Sequence, residues 1–422
     1  MIKHYIKQAI RLLRENKLLS IISILGTALA ICMIMVLVIL YVMNTADFRP
    51  ETNRSRTCYI STAMSMGKDD GRRMSFSALG YPLMKECVLS LKSAELVTAI
   101  IHDSRSKTIV STMDGLSSYS ASVTLTDATF WKLYSFDFID GQPFSEADFK
   151  SGIRSAVINE TVALRLFGTT KALGKQMKFD FTDFRVAGVV KDVSRFASKA
   201  WAEVWVPYSI NAGYDSEASG QEGINGDYAC CALLKKGYTR DDMRKEMLHL
   251  LAGFNSHLKD YKADLNVQPR TQVQEWLGGG SEFESHESSM YIRSGIIIAI
   301  LLLVPALNLS GITLSRMRRR MPELGVRRAF GATEGNILWQ VMVENLLFTF
   351  IGGLIGLILS YAGMLILKDW LLVSGETGLS IGMFSWEVFA AAFLLCLVLN
   401  LLSAGIPAWR VSRLQITDSL NS

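Results

Sequence analysis

The run LLSIISILGTALAICMIMVLVILYVMNTA, Leu18 to Ala46, contains no charged residue over a length sufficient to cross a roughly 30 Å hydrocarbon core at about 1.5 Å per helical residue. Ser294 to Ser315 and Val388 to Trp409 repeat the pattern, and Asn345 to Leu367 repeats it within a stretch that reads as helical from residue 337. The fold expected from this is an α-helical membrane protein with four transmembrane helices, at 18–46, 294–315, 337–367 and 388–409. The long polar segment 47–293 between the first two is expected to be a separate domain outside the membrane.

Charge decides which side each connection occupies. Lys3, Lys7, Arg11, Arg14 and Lys17 precede the first run. Arg316, Arg318, Arg319, Arg320, Arg327 and Arg328 lie between the second and third, and Arg410 and Arg413 follow the fourth. By the positive-inside rule residues 1–17, the loop 316–336 and the tail 410–422 are cytoplasmic, while 47–293 and the short loop 368–387 face outward. An even number of crossings puts both termini on one side, in agreement with the charges at each end. The first apolar run is nearly twice the length of a cleavable signal core, so it reads as an uncleaved anchor. Ile2, Tyr5, Ile6, Ala9, Ile10 and Leu13 share a helical face opposite Lys3, Lys7, Arg11 and Arg14, which predicts an amphipathic helix on the inner lipid surface.

Within 47–293 strand-like and helix-like stretches alternate, which predicts an inserted mixed α+β extracytoplasmic domain of two lobes. Strands are expected at Thr57–Ala63, Ser120–Leu125, Ser155–Asn159, Gln176–Phe181, Phe184–Val190, Tyr228–Leu234 and Leu265–Pro269. Helices are expected at Leu79–Leu91, Ala128–Tyr134, Glu160–Phe167 with Gly168 as its stop, and Arg240–Ala252 with Thr239 as its cap. Thr182 and Asp183 are the expected hairpin turn, and Gly278, Gly279 and Gly280 an expected joint before the second span. Acidic and basic residues nearly cancel across the segment, leaving no basic stripe for nucleic acid. Cys58, Cys87, Cys230 and Cys231 lie here. The sequence leaves their pairing open, though adjacent Cys230 and Cys231 on a strand must point to opposite faces.

No catalytic pattern emerges. In GTTKALGKQ, Gly168 to Gln176, the glycines are six apart where a phosphate loop needs five, and Gln176 stands where a Mg²⁺-binding hydroxyl belongs. His4, His102, His249, His257 and His286 have no ligand spacing, and no GxSxG elbow occurs. Catalytic, metal and cofactor residues are therefore expected to be none in this chain.

The cytoplasmic stretch RMRRRMPELGVRRAFGA, Arg316 to Ala332, combines basic charge, a helix-starting Pro322 and small residues that allow close approach of another surface. With its continuation, ELGVRRAFGATEGNILWQVMVENLLFTFIGGLIGLILS from Glu323 to Ser360, it resembles the signature of FtsX-like permease domains of ABC transporters. Glu323, Gly325, Arg327, Arg328, Gly331, Ala332, Gln340, Glu344, Gly352, Gly353 and Gly356 occupy the matching positions. Phe130 to Phe149 and Ser155 to Val193 resemble the extracytoplasmic core domain of the MacB family. Ile406 to Leu420 resembles that family's closing segment, with Ile416 where a proline is usual.

The resemblance implies a cell inner-membrane permease with its large domain in the periplasm. Its cytoplasmic partner would be an ABC ATPase subunit, which would hold the ATP and Mg. A second permease subunit would complete a homo- or heterodimer, in contact with membrane lipid and a periplasmic or outer-membrane partner. Glu323, Gly325, Arg327, Arg328, Gly331 and Ala332 would form the ATPase-coupling segment. Gly352, Gly353, Gly356 and Ser360 offer a small-residue packing face on the third span. Glu344 is a buried polar candidate, suited equally to an ion pair with Arg327 or Arg328 and to a transport role. The implied function is ATP-driven movement of the outer domain for export or extraction of a lipoprotein, peptide or antibiotic. Two alternatives fit the same sequence with a different role. One is an FtsX-like mechanotransmitter acting on a cell-wall enzyme, and the other a membrane-anchored binding or assembly protein.

Overall fold

The computed structural model describes residues 17–69, 73–102, 107–211, 213–215, 220–278 and 333–371, with scattered positions between 292 and 331 and between 390 and 401. The chain divides into two compact units, of which the larger covers Met43–Ile292. Helix α1 (Lys17–Thr45) covers nearly all of the first apolar run. Among the described residues, taken with their side chains, no helix is long and apolar enough to cross a membrane, so the number of spans rests on the sequence alone.

The larger unit is of mixed α+β type. An 11-stranded sheet begins with β1 (Thr57–Ile60), β14 (Ala229–Leu234), β4 (Ala94–His102) and β7 (Val123–Thr126). It continues through β12 (Val204–Pro207), β9 (Ser155–Asn159), β11 (Thr182–Val190) and β10 (Gln176–Phe179) to β5 (Thr108–Thr112) and β6 (Ser118–Ala121), with β8 (Phe138–Gly141) on β11. The second sheet has four strands, β13 (Asn225–Gly226), β3 (Met74–Leu79), β2 (Ala63–Gly67) and β15 (Tyr261–Asp264). The domain thus has two sheets, of which the larger is continuous from β1 to β6.

Helices cover the sheets where the sequence provides apolar faces. Helix α2 (Tyr81–Cys87) buries Leu83, Met84 and Cys87 in one cluster with Met243, Met247, Leu251 and Phe254 of α4 (Arg240–His257). Between β9 and β11, α3 (Glu160–Phe167) buries Val162, Ala163 and Leu166 against Val186 and Val189. A third cluster is aromatic, with Phe130, Tyr134, Phe144 and Trp205 as its centre. Two further helices matter below, α5 (Gln272–Gly278) and the 38-residue α6 (Glu334–Leu371).

Several expected boundaries are met and others move. Helix α3 ends at Gly168, whose φ of 68° is the left-handed conformation that glycine adopts at least cost. Thr239 caps α4 in a reciprocal capping box with Asp242, and the helix runs on to His257, past the expected Ala252. The expected strand Thr57–Ala63 breaks after Ile60, and Ser120–Leu125 is divided between β6 and β7 at Ser122. The β10–β11 turn falls at Asp180 and Phe181, both at positive φ, and not at Thr182 and Asp183. Residues 265–269 form no strand; β15 ends at Asp264.

Candidate functional site

Of the expected coupling residues, Glu323, Gly325, Arg327, Arg328 and Ala332 lie outside the described residues, as do Gly279, Gly280 and the N-terminal amphipathic helix. Gly331 is described. Its φ is 91°, a left-handed backbone that itself calls for glycine, and among the described residues a Cβ there would meet nothing within 4 Å. Just before it the Phe330 amide donates to the Val326 carbonyl at 3.1 Å, one closed helical turn. Phe330 itself is 89% exposed, an aromatic side chain displayed beside the turn. Sequence reasoning passes over it because the basic and small residues around it, and not the one aromatic, carry the resemblance in this stretch.

Downstream, Gly352, Gly353, Gly356 and Ser360 are buried on α6, together with Thr349. Their spacing of three and four residues aligns them along one side of the helix, while Leu346, Phe350, Leu354 and Ile358 remain exposed. A Cβ at Gly353 would overlap Cε2 of Phe393, and the Phe350 and Phe393 rings meet edge to face at 6.3 Å. Ser360 satisfies its hydroxyl locally by donating to the Leu357 carbonyl at 2.8 Å. The backbone of Glu344 is helical, and its side chain lies outside the described residues.

The larger unit holds buried ionisable groups whose surroundings account for them structurally. Asp127 accepts from Thr98 Oγ1 at 2.7 Å, from the Ala99 amide at 2.9 Å and from the Phe130 amide at 3.0 Å. Burial outweighs these bonds and pushes its carboxyl up to about 6. With its lone pairs turned to fixed donors, it joins β4 to the turn after β7 and has no reacting group to serve. Glu203 accepts from Tyr119 Oη at 2.7 Å and from the Ser122 amide at 2.8 Å, tying the loop before β12 to the β6–β7 junction. Burial pushes the thiols of Cys58 to about 11 and of Cys87 and Cys231 to about 12, which removes them as nucleophiles at neutral pH. Cys230 and Cys231 do point to opposite faces, each into a different core cluster, and all four thiols are unpaired. No group of three or more metal-binding side chains occurs among the described residues.

The family model of the MacB-like periplasmic core domain matches residues 20–250, and that of the FtsX-like permease C-terminal segment matches residues 295–416. The chain belongs to this family of ABC transporter permeases. It is 26% identical over 305 residues to the ABC transporter permease YknZ of Bacillus subtilis, covering 70% of each chain. It is 26% identical over 359 residues to the macrolide export ATP-binding/permease protein MacB of Wolinella succinogenes, covering 84% of this chain and 52% of that protein. The chain therefore spans about half the length of that MacB relative. The solved extracellular domain of YknZ from Gram-positive bacteria is also similar, at 18% identity and a TM-score of 0.36, over 49% of this chain and 99% of that one.

Proposed function

We propose that the chain is the membrane subunit of an ABC export or extraction system, working with an ATPase that lies outside these 422 residues. The observation that carries this reading is the order of the two family matches in one chain, with the core domain ahead of the permease segment and no phosphate-loop sequence in either. In it, the four apolar runs cross the inner membrane and the termini and residues 316–336 face the cytoplasm. Residues 323–332 receive the ATPase, and the outer domain moves on a substrate already outside, such as a lipoprotein, peptide or antibiotic. Few polar residues occur in the apolar runs, which supports movement of the outer domain over passage through a broad hydrophilic channel. A second permease subunit, either a copy or a relative, completes the assembly.

The test is twofold. Reporters placed after Ser422 and near Glu323 should report cytoplasm and one near Gly220 the periplasm. The purified chain alone should hydrolyse no ATP, and an ABC ATPase co-purified from native membranes should supply the activity. An outward-facing C-terminus, or turnover by the chain alone, rejects the reading.

A further inference from the structure

The larger unit begins with residues 43–56, the incoming stem, and 270–278, the outgoing stem, is its last continuous described stretch. The two stems close on one loop, 194–200, which leads into β12 between β7 and β9 of the large sheet. On the incoming side the Arg54 side chain is fully buried and ion-paired with buried Glu51. Its guanidinium also donates to the carbonyls of Met43 at 2.9 Å and Ala46 at 3.1 Å, at the end of α1, and to the carbonyl of Phe196 in the loop. The Phe48 ring lies 4.0 Å from its central carbon. The second oxygen of Glu51 accepts from the amides of Lys199 and Ala200, each at 2.9 Å.

On the outgoing side Gln272 reaches back across 228 positions of sequence to donate to the Asn44 carbonyl at 2.6 Å. One turn later Glu275 accepts from Lys199 Nζ at 2.7 Å, in a pair whose side chains are 19% and 16% exposed. Lys199 is thus shared: its amide belongs to the incoming stem and its ammonium to the outgoing one.

We propose that Lys199 is a positioning residue that clasps both stems to the loop ahead of β12, so that a displacement of either stem is passed to the other and to the centre of the sheet. The physical ground is that charges with so little access to water cannot trade partners cheaply. Taking away Lys199 removes the one charge at hydrogen-bond distance from Glu275 and leaves it the more distant Arg270, 3.9 Å away on its own stem, which holds nothing of the loop, so the loop and the outgoing stem part together. Its use in transport rests on the function proposed above; its existence does not.

Hydrogen exchange on the intact chain in detergent, with no ATPase present, tests the clasp independently of that function. Lys199→Met removes the ammonium but keeps the amide. Exchange should rise at least about tenfold in residues 270–278, in 194–207 and, decisively, in 43–56, which the ammonium does not touch, while residues 155–190 stay unchanged. Glu275→Gln should raise the same three stretches to a smaller extent, and Lys150→Met, at an exposed ion pair, should raise none. A rise confined to 270–278, with 43–56 as slow as in the parent, overturns the proposal. Should Lys199→Met loosen residues 155–190 as well, Glu275→Gln decides by the same criterion.

Discussion

Asp127 and Thr98 are joined by a 2.7 Å hydrogen bond that is buried from both sides, Thr98 being fully inaccessible and Asp127 nearly so. Removing the carboxylate by Asp127→Ala leaves the Ala99 and Phe130 amides without their acceptor, which should cost about 1–3 kcal/mol of unfolding free energy. A pH effect accompanies it. The folded carboxyl sits near 6 against an ordinary 3.8, so between those values the folded state holds the proton more tightly than the unfolded one. The stability tied to that proton is complete below 3.8 and is lost as pH rises through about 6. Thermal unfolding from pH 4 to 7 should show this slope in the parent and its loss in the alanine variant.

The four thiols provide a second check. With Cys58 near 11 and Cys87 and Cys231 near 12, almost no thiolate exists at pH 8, and each sulfur is buried. Maleimide should leave Cys58, Cys87, Cys230 and Cys231 unlabelled in the folded chain and modify all four in denaturant. Because the folded pKa values lie above the ordinary 9.0, these thiols should cost stability as pH climbs past 9. Rapid native labelling at any one of them would contradict the packing described.

Gly353 and Phe393 make a third test. Gly353→Ala places a methyl group where the Phe393 ring lies, so the ring or the helix must shift, at a cost of about 1–3 kcal/mol. The double variant Gly353→Ala/Phe393→Leu should recover most of the loss, since the smaller side chain vacates the space. Resistance to proteolysis in detergent measures both. Equal sensitivity of the single and double variants would show that the methyl group is felt elsewhere.

How much of the fold is legible in the sequence depends on how local each cause is. Helix α3 and its stop at Gly168 are legible because the apolar spacing and the glycine lie together in one short segment; the structure adds Asn159 as its cap. The hairpin turn is misplaced by sequence because Thr182–Asp183 has the commoner turn chemistry, whereas the chain bends with Asp180 and Phe181 at φ of 47° and 59°. Strand β12 escapes notice, since four successive buried residues, Val204 to Pro207, carry no alternation. Nothing in the sequence could link Glu51, Arg54, Lys199 and Glu275, for each looks like an ordinary surface charge until the sheet brings them together.

The last test concerns where an ATPase would press on the chain. In the topology proposed above, residues 323–332 are the one stretch on the cytoplasmic side between the expected spans that combines a helix start, small residues and a glycine turn. Gly331 has a left-handed backbone, and Phe330 beside it is 89% exposed. An aromatic displayed beside a turn supplies apolar area that a docking surface can bury, and a neighbouring arginine supplies charge that can steer it. Three variants separate these contributions. Phe330→Ala should weaken ATPase binding about tenfold or more through lost burial; Arg328→Glu should weaken it most at low salt; and Gly325→Leu should weaken it by blocking close approach. None of the three alters an apolar run, so membrane insertion and the outer domain should survive in each. Co-purification of the ATPase and its stimulated hydrolysis, measured at two salt concentrations, are the readouts. If all three variants bound and stimulated the ATPase as the parent does, residues 323–332 would be a basic topology signal held against lipid, and the site of force transfer would have to be sought elsewhere in the cytoplasmic segments.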